Sequence, residues 1–118
     1  MSTLPILQKI HHVIDIDAAN DYEKKHTPKI EFTKDGDVLK VRIAMSQYGI
    51  VHPHDPDHFF DFFEVYVDEA PVARFHGAPR ITTPEFSFEL TADASGRTVS
   101  TLVSCNLHGL WKAAVTLP

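Results

Sequence analysis

The chain has little to staple, anchor or divide it. One cysteine in 118 residues rules out an intramolecular disulfide and fits a reducing compartment. No apolar run approaches the roughly 20 residues of a membrane-spanning helix, so no membrane partner is expected. The opening "MSTLPILQKI" has no basic region ahead of its short apolar stretch, so no secretory signal is read and a soluble, cytoplasmic protein is expected. Positive charge is also scarce: 11 Lys and Arg against 16 Asp and Glu give a net charge of −5. That balance argues against nucleic acid as a partner. An anionic ligand would need a local positive patch to overcome the overall field. With no repeat, low-complexity tract or Gly/Ser linker, residues 1–118 read as a single domain. A chain of this length buries about two-thirds of its unfolded surface and needs no covalent staple.

What is present is mostly strand. "KIEFTK" (29–34) alternates and runs into Asp35-Gly36, a hairpin signal. "DVLKVRIAM" (37–45) sets Val38, Lys40 and Arg42 on one face and Leu39, Val41 and Ile43 on the other. "HFFDFFEVYV" (58–67) is aromatic and β-branched, with apolar residues on both faces. "PVARFHG" (71–77), "EFSFELTA" (85–92), "RTVSTLVSC" (97–105) and "LWKAAVTL" (110–117) bring the set to seven. Short strands punctuated by turn residues predict an all-β sandwich with Greek-key connections. The one helix expected is a turn or two within "DIDAANDYEKK" (15–25), N-capped by Asp15 or Asp17.

Two longer stretches are not strand: "NDYEKKHTP" (20–28) and "SQYGIVHPHDPDH" (46–58). Loops on a rigid sandwich are where sites usually sit. Four of the eight histidines, His26, His52, His54 and His58, lie in or at the ends of these two. Farther on, Cys105 and His108 form a C-x-x-H turn at a strand end, which can aim sulfur and imidazole at one point. Gly109 behind them permits a backbone conformation closed to other residues. The N–H groups of Leu107 and His108, turned back toward the sulfur, would favour a thiolate. Three roles compete for Cys105: a small buried hydrophobe, a nucleophile or a metal ligand. A nucleophile needs an orienting acid and an oxyanion site, and no such signature is present. The histidine supply favours a metal.

Three motifs together resemble one family. "CNLHGLW" (105–111), "KHTP" (25–28) and "HPHDPDHFFDFFEVY" (52–66) are similar, in order and spacing, to motifs of the superoxide reductases. That family includes neelaredoxin and the iron-binding domain of desulfoferrodoxin. The resemblance implies an immunoglobulin-like, seven-stranded β-sandwich, with residues 1–24 as an N-terminal extension and loop. It implies one mononuclear non-haem iron per chain, cycling between ferrous and ferric. Carried over residue by residue, the implied ligands are four equatorial histidines, His26, His52, His58 and His108, and the axial thiolate of Cys105. The implied activity is one-electron reduction of superoxide to hydrogen peroxide, with the iron re-reduced by a small electron-transfer protein such as rubredoxin. Members with a second, rubredoxin-like iron site need four more cysteines, so this chain resembles the one-iron class, whose members are commonly homotetramers. His54 occupies a position the family does not use and reads as an exposed loop histidine. His11, His12 and His76 match no motif.

The family's lysine directly before the first histidine supplies positive potential for superoxide; that position here is Lys25, while Lys24 reads as a solvated surface charge. The family's usual order is glutamate, lysine, histidine without a gap, and that glutamate can ligate ferric iron. Here the order is Glu23, Lys24, Lys25, His26. Glu23 is therefore a candidate sixth ligand that must order about one extra residue, at roughly 1–2 kcal/mol. Trp111 reads as core or site wall. The pairs Phe59-Phe60 and Phe62-Phe63 offer rings to both faces of their strand, one for the core and one for another subunit. Two rivals remain. A cupredoxin-like electron-transfer protein also has a C-x-x-H turn, but it usually adds an axial methionine after it, and the only methionines are Met1 and Met45. A non-catalytic sandwich with structural zinc or no metal would not need a lysine beside the site.

Overall fold

Alternation decides which face of each strand is buried. Leu39, Val41 and Ile43 face the core, while Lys40 is exposed and Arg42 half-exposed. The computed structural model describes residues 10–118. In chain order it contains β1 (Ile10–His12), α1 (Asp21–His26), β2 (Lys29–Asp35), β3 (Val38–Ala44), β4 (Phe60–Val67), β5 (Ala70–His76), β6 (Glu85–Thr91), β7 (Thr98–Cys105) and β8 (Gly109–Thr116). A three-stranded sheet, in the order β2-β3-β6, packs on a five-stranded sheet, in the order β1-β8-β7-β4-β5. The chain crosses between the sheets after β1, β3, β5 and β6, and the expected seven strands, β2 to β8, do form an all-β sandwich with crossing connections. The core between the sheets joins Leu39, Val41 and Ile43 to Phe63, Val65 and Val103. Each such side chain contributes about 1.5–3 kcal/mol by leaving water. No helix among the described residues is long and apolar enough to cross a membrane.

Two local readings are corrected. First, an eighth strand exists: β1 runs parallel to β8, with His11 opposite Trp111. Three residues are too few to show a period, and their partner lies about a hundred positions later. The stretch assigned to an extension and loop thus includes a strand; its residues 1–9 lie outside the described residues. Second, Asp15 caps only the 3-10 turn Ile16–Ala18. The α-helix is capped by Asn20, whose side chain accepts from the Glu23 N–H while Glu23 accepts from the Asn20 N–H. The helix expected within 15–25 thus forms at Asp21–His26, and this reciprocal capping box, rather than Asp15 or Asp17, starts it.

The aromatic strand does offer rings to both faces, although not by simple alternation. Phe60 and Phe63 are both fully buried although they are three residues apart, which strict alternation forbids. A β-bulge resolves this. Phe60 pairs with Cys105 and Phe62 with Ser104, so Asp61 is an extra residue on β4. The bulge packs on Gly77, whose N–H donates to the Asp61 carbonyl at 2.9 Å. A Cβ on Gly77 would meet the Phe60 carbonyl oxygen at 2.1 Å, so only glycine fits. Phe62 turns outward, half-buried beneath the Arg74 guanidinium at 4.4 Å.

Candidate metal centre

Two loops, a short helix and a hairpin end deliver the expected donors to one point. His26 is the last residue of α1 and is fully buried. The helix stops there because Thr27 must leave the helical region ahead of Pro28. Thr27 also returns its N–H and its hydroxyl to the Glu23 carbonyl, at 3.0 and 2.7 Å. His52 is anchored by its N–H, which donates to Ser46 Oγ at 2.9 Å. Ser46 itself holds a left-handed φ of 63°, a strained conformation for a non-glycine residue. Asp55 and His58 exchange both backbone hydrogen bonds at 2.9 Å. Gly109 takes φ 83°, as the hairpin carrying Cys105 and His108 requires. Asn106 ties that hairpin to the His58 loop. Its Oδ1 accepts from the Phe59 N–H at 2.7 Å, and its Nδ2 donates to the Asp57 carbonyl at 3.1 Å.

The four imidazoles form a square. Neighbouring ring centroids lie 4.6 Å (His26–His52), 4.4 Å (His52–His58), 5.0 Å (His58–His108) and 4.9 Å (His108–His26) apart, while the diagonal His26–His58 is 6.4 Å. The Cys105 sulfur lies 3.4 Å from His52 Nε2 and 3.7 Å from His108 Nδ1, two opposite corners, and so sits near the axis of the square. The donor atoms of His26, His58, Cys105 and His108 all lie within 4.8 Å of one another. His52 stands outside that group of four, although its Nε2 lies 3.2 Å from His26 Nε2 and 3.4 Å from the Cys105 sulfur.

Hydrogen bonding fixes which nitrogens face inward. His26 Nδ1 donates to the Tyr22 carbonyl at 2.8 Å, and His52 Nδ1 donates to the Pro53 carbonyl at 2.6 Å. In the neutral rings both Nε2 atoms are therefore bare acceptors, and they confront each other at 3.2 Å with no proton between them. Protonation offers no relief near neutral pH. Burial lowers His26 to about 4 and His52 to about 3, with the neighbouring histidines and Lys25 adding to the effect. His58 is lowered too, again mainly by burial, and its Nε2 is buried with no partner among the described residues. Lone pairs crowded in this way call for a cation. Two ligands at right angles on one ion, with bonds of about 2.1–2.3 Å, stand about 3 Å apart. The observed 3.1 Å (His26 Nε2–His108 Nδ1), 3.2 Å and 3.4 Å match that spacing. Imidazoles with a thiolate suit a late first-row metal, and backbone carbonyls orienting metal-binding histidines are the usual outer support.

Burial raises the Cys105 thiol, and the backbone N–H groups of Leu107 and His108 oppose that rise. Lys25 lowers His26, His52, His58 and Cys105 alike, so its charge reaches those four side chains. Lys24 has no such effect on any of the four. Among the described residues Lys25 forms no ion pair, so its field is not cancelled locally. Glu23 stays away from the cluster, with Oε1 committed to the Asn20 N–H at 3.0 Å. His54 is half-buried rather than exposed. It contacts Thr82 Oγ1 at 3.3 Å and accepts from the Phe60 N–H at 3.4 Å. His76 and His12 are exposed. His11 stacks on Trp111 at 4.1 Å, and Trp111 stacks on His26 at 4.7 Å and donates to the His108 carbonyl at 3.2 Å. Trp111 is both core and site wall. Sequence reasoning missed Asn106, Ser46 and His11, whose roles depend on partners distant in the chain.

A family model described as desulfoferrodoxin matches residues 18–114. The chain belongs to the desulfoferrodoxin family. The superoxide reductase of Pyrococcus abyssi is 32% identical over 104 residues, covering 80% of this chain and 88% of that protein. The superoxide reductase of Pyrococcus horikoshii matches to the same extent, 32% over 104 residues, with 80% and 88% covered. The structure of superoxide reductase from Nanoarchaeum equitans superposes with a TM-score of 0.76 at 24% identity, over 92% of this chain and all of that one. At that identity the likeness is one of fold. Family membership and the histidine–cysteine cluster together point to an iron centre.

Proposed function

We propose that this protein is a superoxide reductase, converting superoxide, one electron and two protons into hydrogen peroxide at an iron held by His26, His52, His58, His108 and Cys105. The observation that carries this reading is the square of four imidazoles with a sulfur near its axis. Five donors that include one thiolate favour iron over a blue-copper site, which uses two histidines, one cysteine and a weak axial ligand. When bound, the iron supplies the single electron that superoxide accepts, and the sulfur tunes how readily it does so.

The residues around the cluster supply the rest. The Lys25 ammonium draws the anion toward the cluster against a net charge of −5. Tyr22 and Trp111 wall one side, with Tyr22 meeting His108 edge-on at 5.3 Å. The carbonyls of Tyr22 and Pro53 keep His26 and His52 in the tautomer that presents Nε2. Glu23 would reach the ferric ion only by giving up its helix-capping bond, so its role as a sixth ligand competes with the helix. A small electron-transfer protein such as rubredoxin would return the electron, the chain would act as one domain with one iron, and assembly as a homo-oligomer fits the one-iron class.

Metal analysis of protein purified without oxygen is the test, followed by exposure to superoxide with no reductant. One iron per chain, oxidised once and then stalled, is the expected outcome. Copper in place of iron, no metal, or sustained release of dioxygen would overturn the reading.

A further inference from the structure

His11 matches none of the motifs, and β1, which carries it, lies outside residues 18–114 that match the family model. β1 is the outermost strand of its sheet and pairs in parallel with β8, Ile10 opposite Leu110, His11 opposite Trp111 and His12 opposite Lys112. Ile10 and His12 are exposed, and only His11, between them, is half-buried. Its ring lies on the Trp111 indole at 4.1 Å, 18° from parallel. The indole in turn lies on the His26 imidazole at 4.7 Å, 16° from parallel. His11 and His26 make no ring contact with one another, so the indole lies between them. A shift of one residue in the β1 register would put Ile10 or His12 opposite Trp111 and turn His11 to the other face.

The stack matters because of how His26 is held. Its Nδ1 donates to the Tyr22 carbonyl at 2.8 Å. One hydrogen bond fixes a point of the ring and leaves its plane free to turn. A flat surface against the ring removes that freedom, and Trp111 is that surface. The indole is tied at one edge, where Nε1–H donates to the His108 carbonyl at 3.2 Å, and Tyr22 meets it edge-on at 5.3 Å. Its face away from His26 is backed by His11. We propose that His11 is a positioning residue of the metal centre, acting through Trp111: it clamps the indole against His26 and so fixes the plane in which His26 presents Nε2. This rests on the reading of the cluster as a metal centre. The plane of a ligand ring governs how its lone pair meets the ion, and outer groups that orient ligand histidines contribute to affinity. Stacked rings prefer a defined offset geometry, which an aliphatic side chain in the same place would not impose.

Trp111 is the only tryptophan, so tryptophan fluorescence reports on this stack alone. The test compares His11→Ala, which removes the ring, His11→Phe, which keeps a flat ring, and His11→Leu, which covers the indole without one. In the metal-free protein, H11A emission is expected to move to longer wavelength as water reaches the indole, while H11F and H11L stay near wild type. With cobalt(II) as the probe, H11A and H11L should bind roughly 10-fold more weakly, the lower end of the effect of losing an outer-shell partner. Their cobalt(II) ligand-field bands should shift as well, and H11F should restore both affinity and bands. Unshifted emission in H11A would show that His11 does not cover Trp111. Wild-type cobalt affinity and bands in H11A or H11L would make His11 a cover for the core and nothing more. H11F behaving as H11A would remove the ring plane as the means. Any of these three results would overturn the inference while leaving the centre intact. Wild-type protein that binds neither cobalt(II) nor iron would overturn the metal reading itself, and the inference with it.

Discussion

The outer face of the three-stranded sheet and the histidine cluster treat charge in opposite ways. On the sheet, Arg42 of β3 bridges Glu31 of β2 and Glu85 of β6, and those hydrogen-bonded carboxylates hold its guanidinium above the ordinary value. Opposite charges meet at the surface, each finds a partner, and the protein completes the arrangement alone. At the cluster, like groups crowd together: four imidazoles converge beside a buried thiol, two ring nitrogens confront each other, and a third has no partner among the described residues. Only a cation completes that region. Local conflicts of this kind, tolerated because the rest of the fold is consistent, mark functional sites.

The comparison can be broken most directly at the sulfur. Cys105→Ser is expected to lower superoxide reduction by more than the roughly 10–100-fold typical of losing an outer-shell partner, because a serine oxygen substitutes poorly for soft sulfur. The melting temperature of the metal-free variant should match wild type. Pulse radiolysis and thermal melts check the two halves. Wild-type rates with iron bound would remove Cys105 from the centre.

Phe63→Ala attacks the other side. The ring is fully buried among Phe60, Phe75 and Phe86, and its loss should cost about 3–5 kcal/mol in urea unfolding. The variant that remains folded should keep its iron and its rate per iron.

Lys25→Ala and Lys24→Ala sharpen the electrostatic contrast. Loss of Lys25 should slow association with superoxide several-fold and flatten its dependence on ionic strength, whereas Lys24→Ala should change little. Rates at low and high salt for both variants decide this, and equal effects would undo the assignment.

A pH dependence follows from the depressed histidines. His26 at about 4 and His52 at about 3 both lie below the ordinary 6.5. The unfolded chain therefore takes up protons first as the pH falls. Stability of the metal-free protein is complete above about pH 6.5 and is lost progressively below it, levelling off only near the folded values. Melts between about pH 7.5 and 5.5, above the carboxylate range, should fall with pH in the metal-free protein. His52→Gln should fall less.

The smallest effect is expected at the helix cap. Asn20→Ala removes the bond to the Glu23 N–H at 2.8 Å and should cost about 1 kcal/mol. It also frees the helix end that carries His26, so a modest loss of metal affinity should accompany it.

Composition and local pattern determined a large share of this protein. Alternation over 38–44 set the buried face of β3, because side-chain direction in a strand depends only on parity. The turn residues Gly36 and Gly109, both at positive φ, marked two hairpins through their own backbone freedom. The candidate donors His26, His52, His58, Cys105 and His108 could be named because each motif lies within a few residues. Tertiary structure alone decided how they meet: the cyclic order of the four rings, the sulfur near their axis, the tie from Asn106 to Phe59 and Asp57, and the addition of β1 beside β8. It also decided that Glu23 caps a helix and that Asp61 is a bulge residue. Those features require segments up to about a hundred residues apart to come into register, and it is packing of the whole core that sets that register, since no local period encodes it.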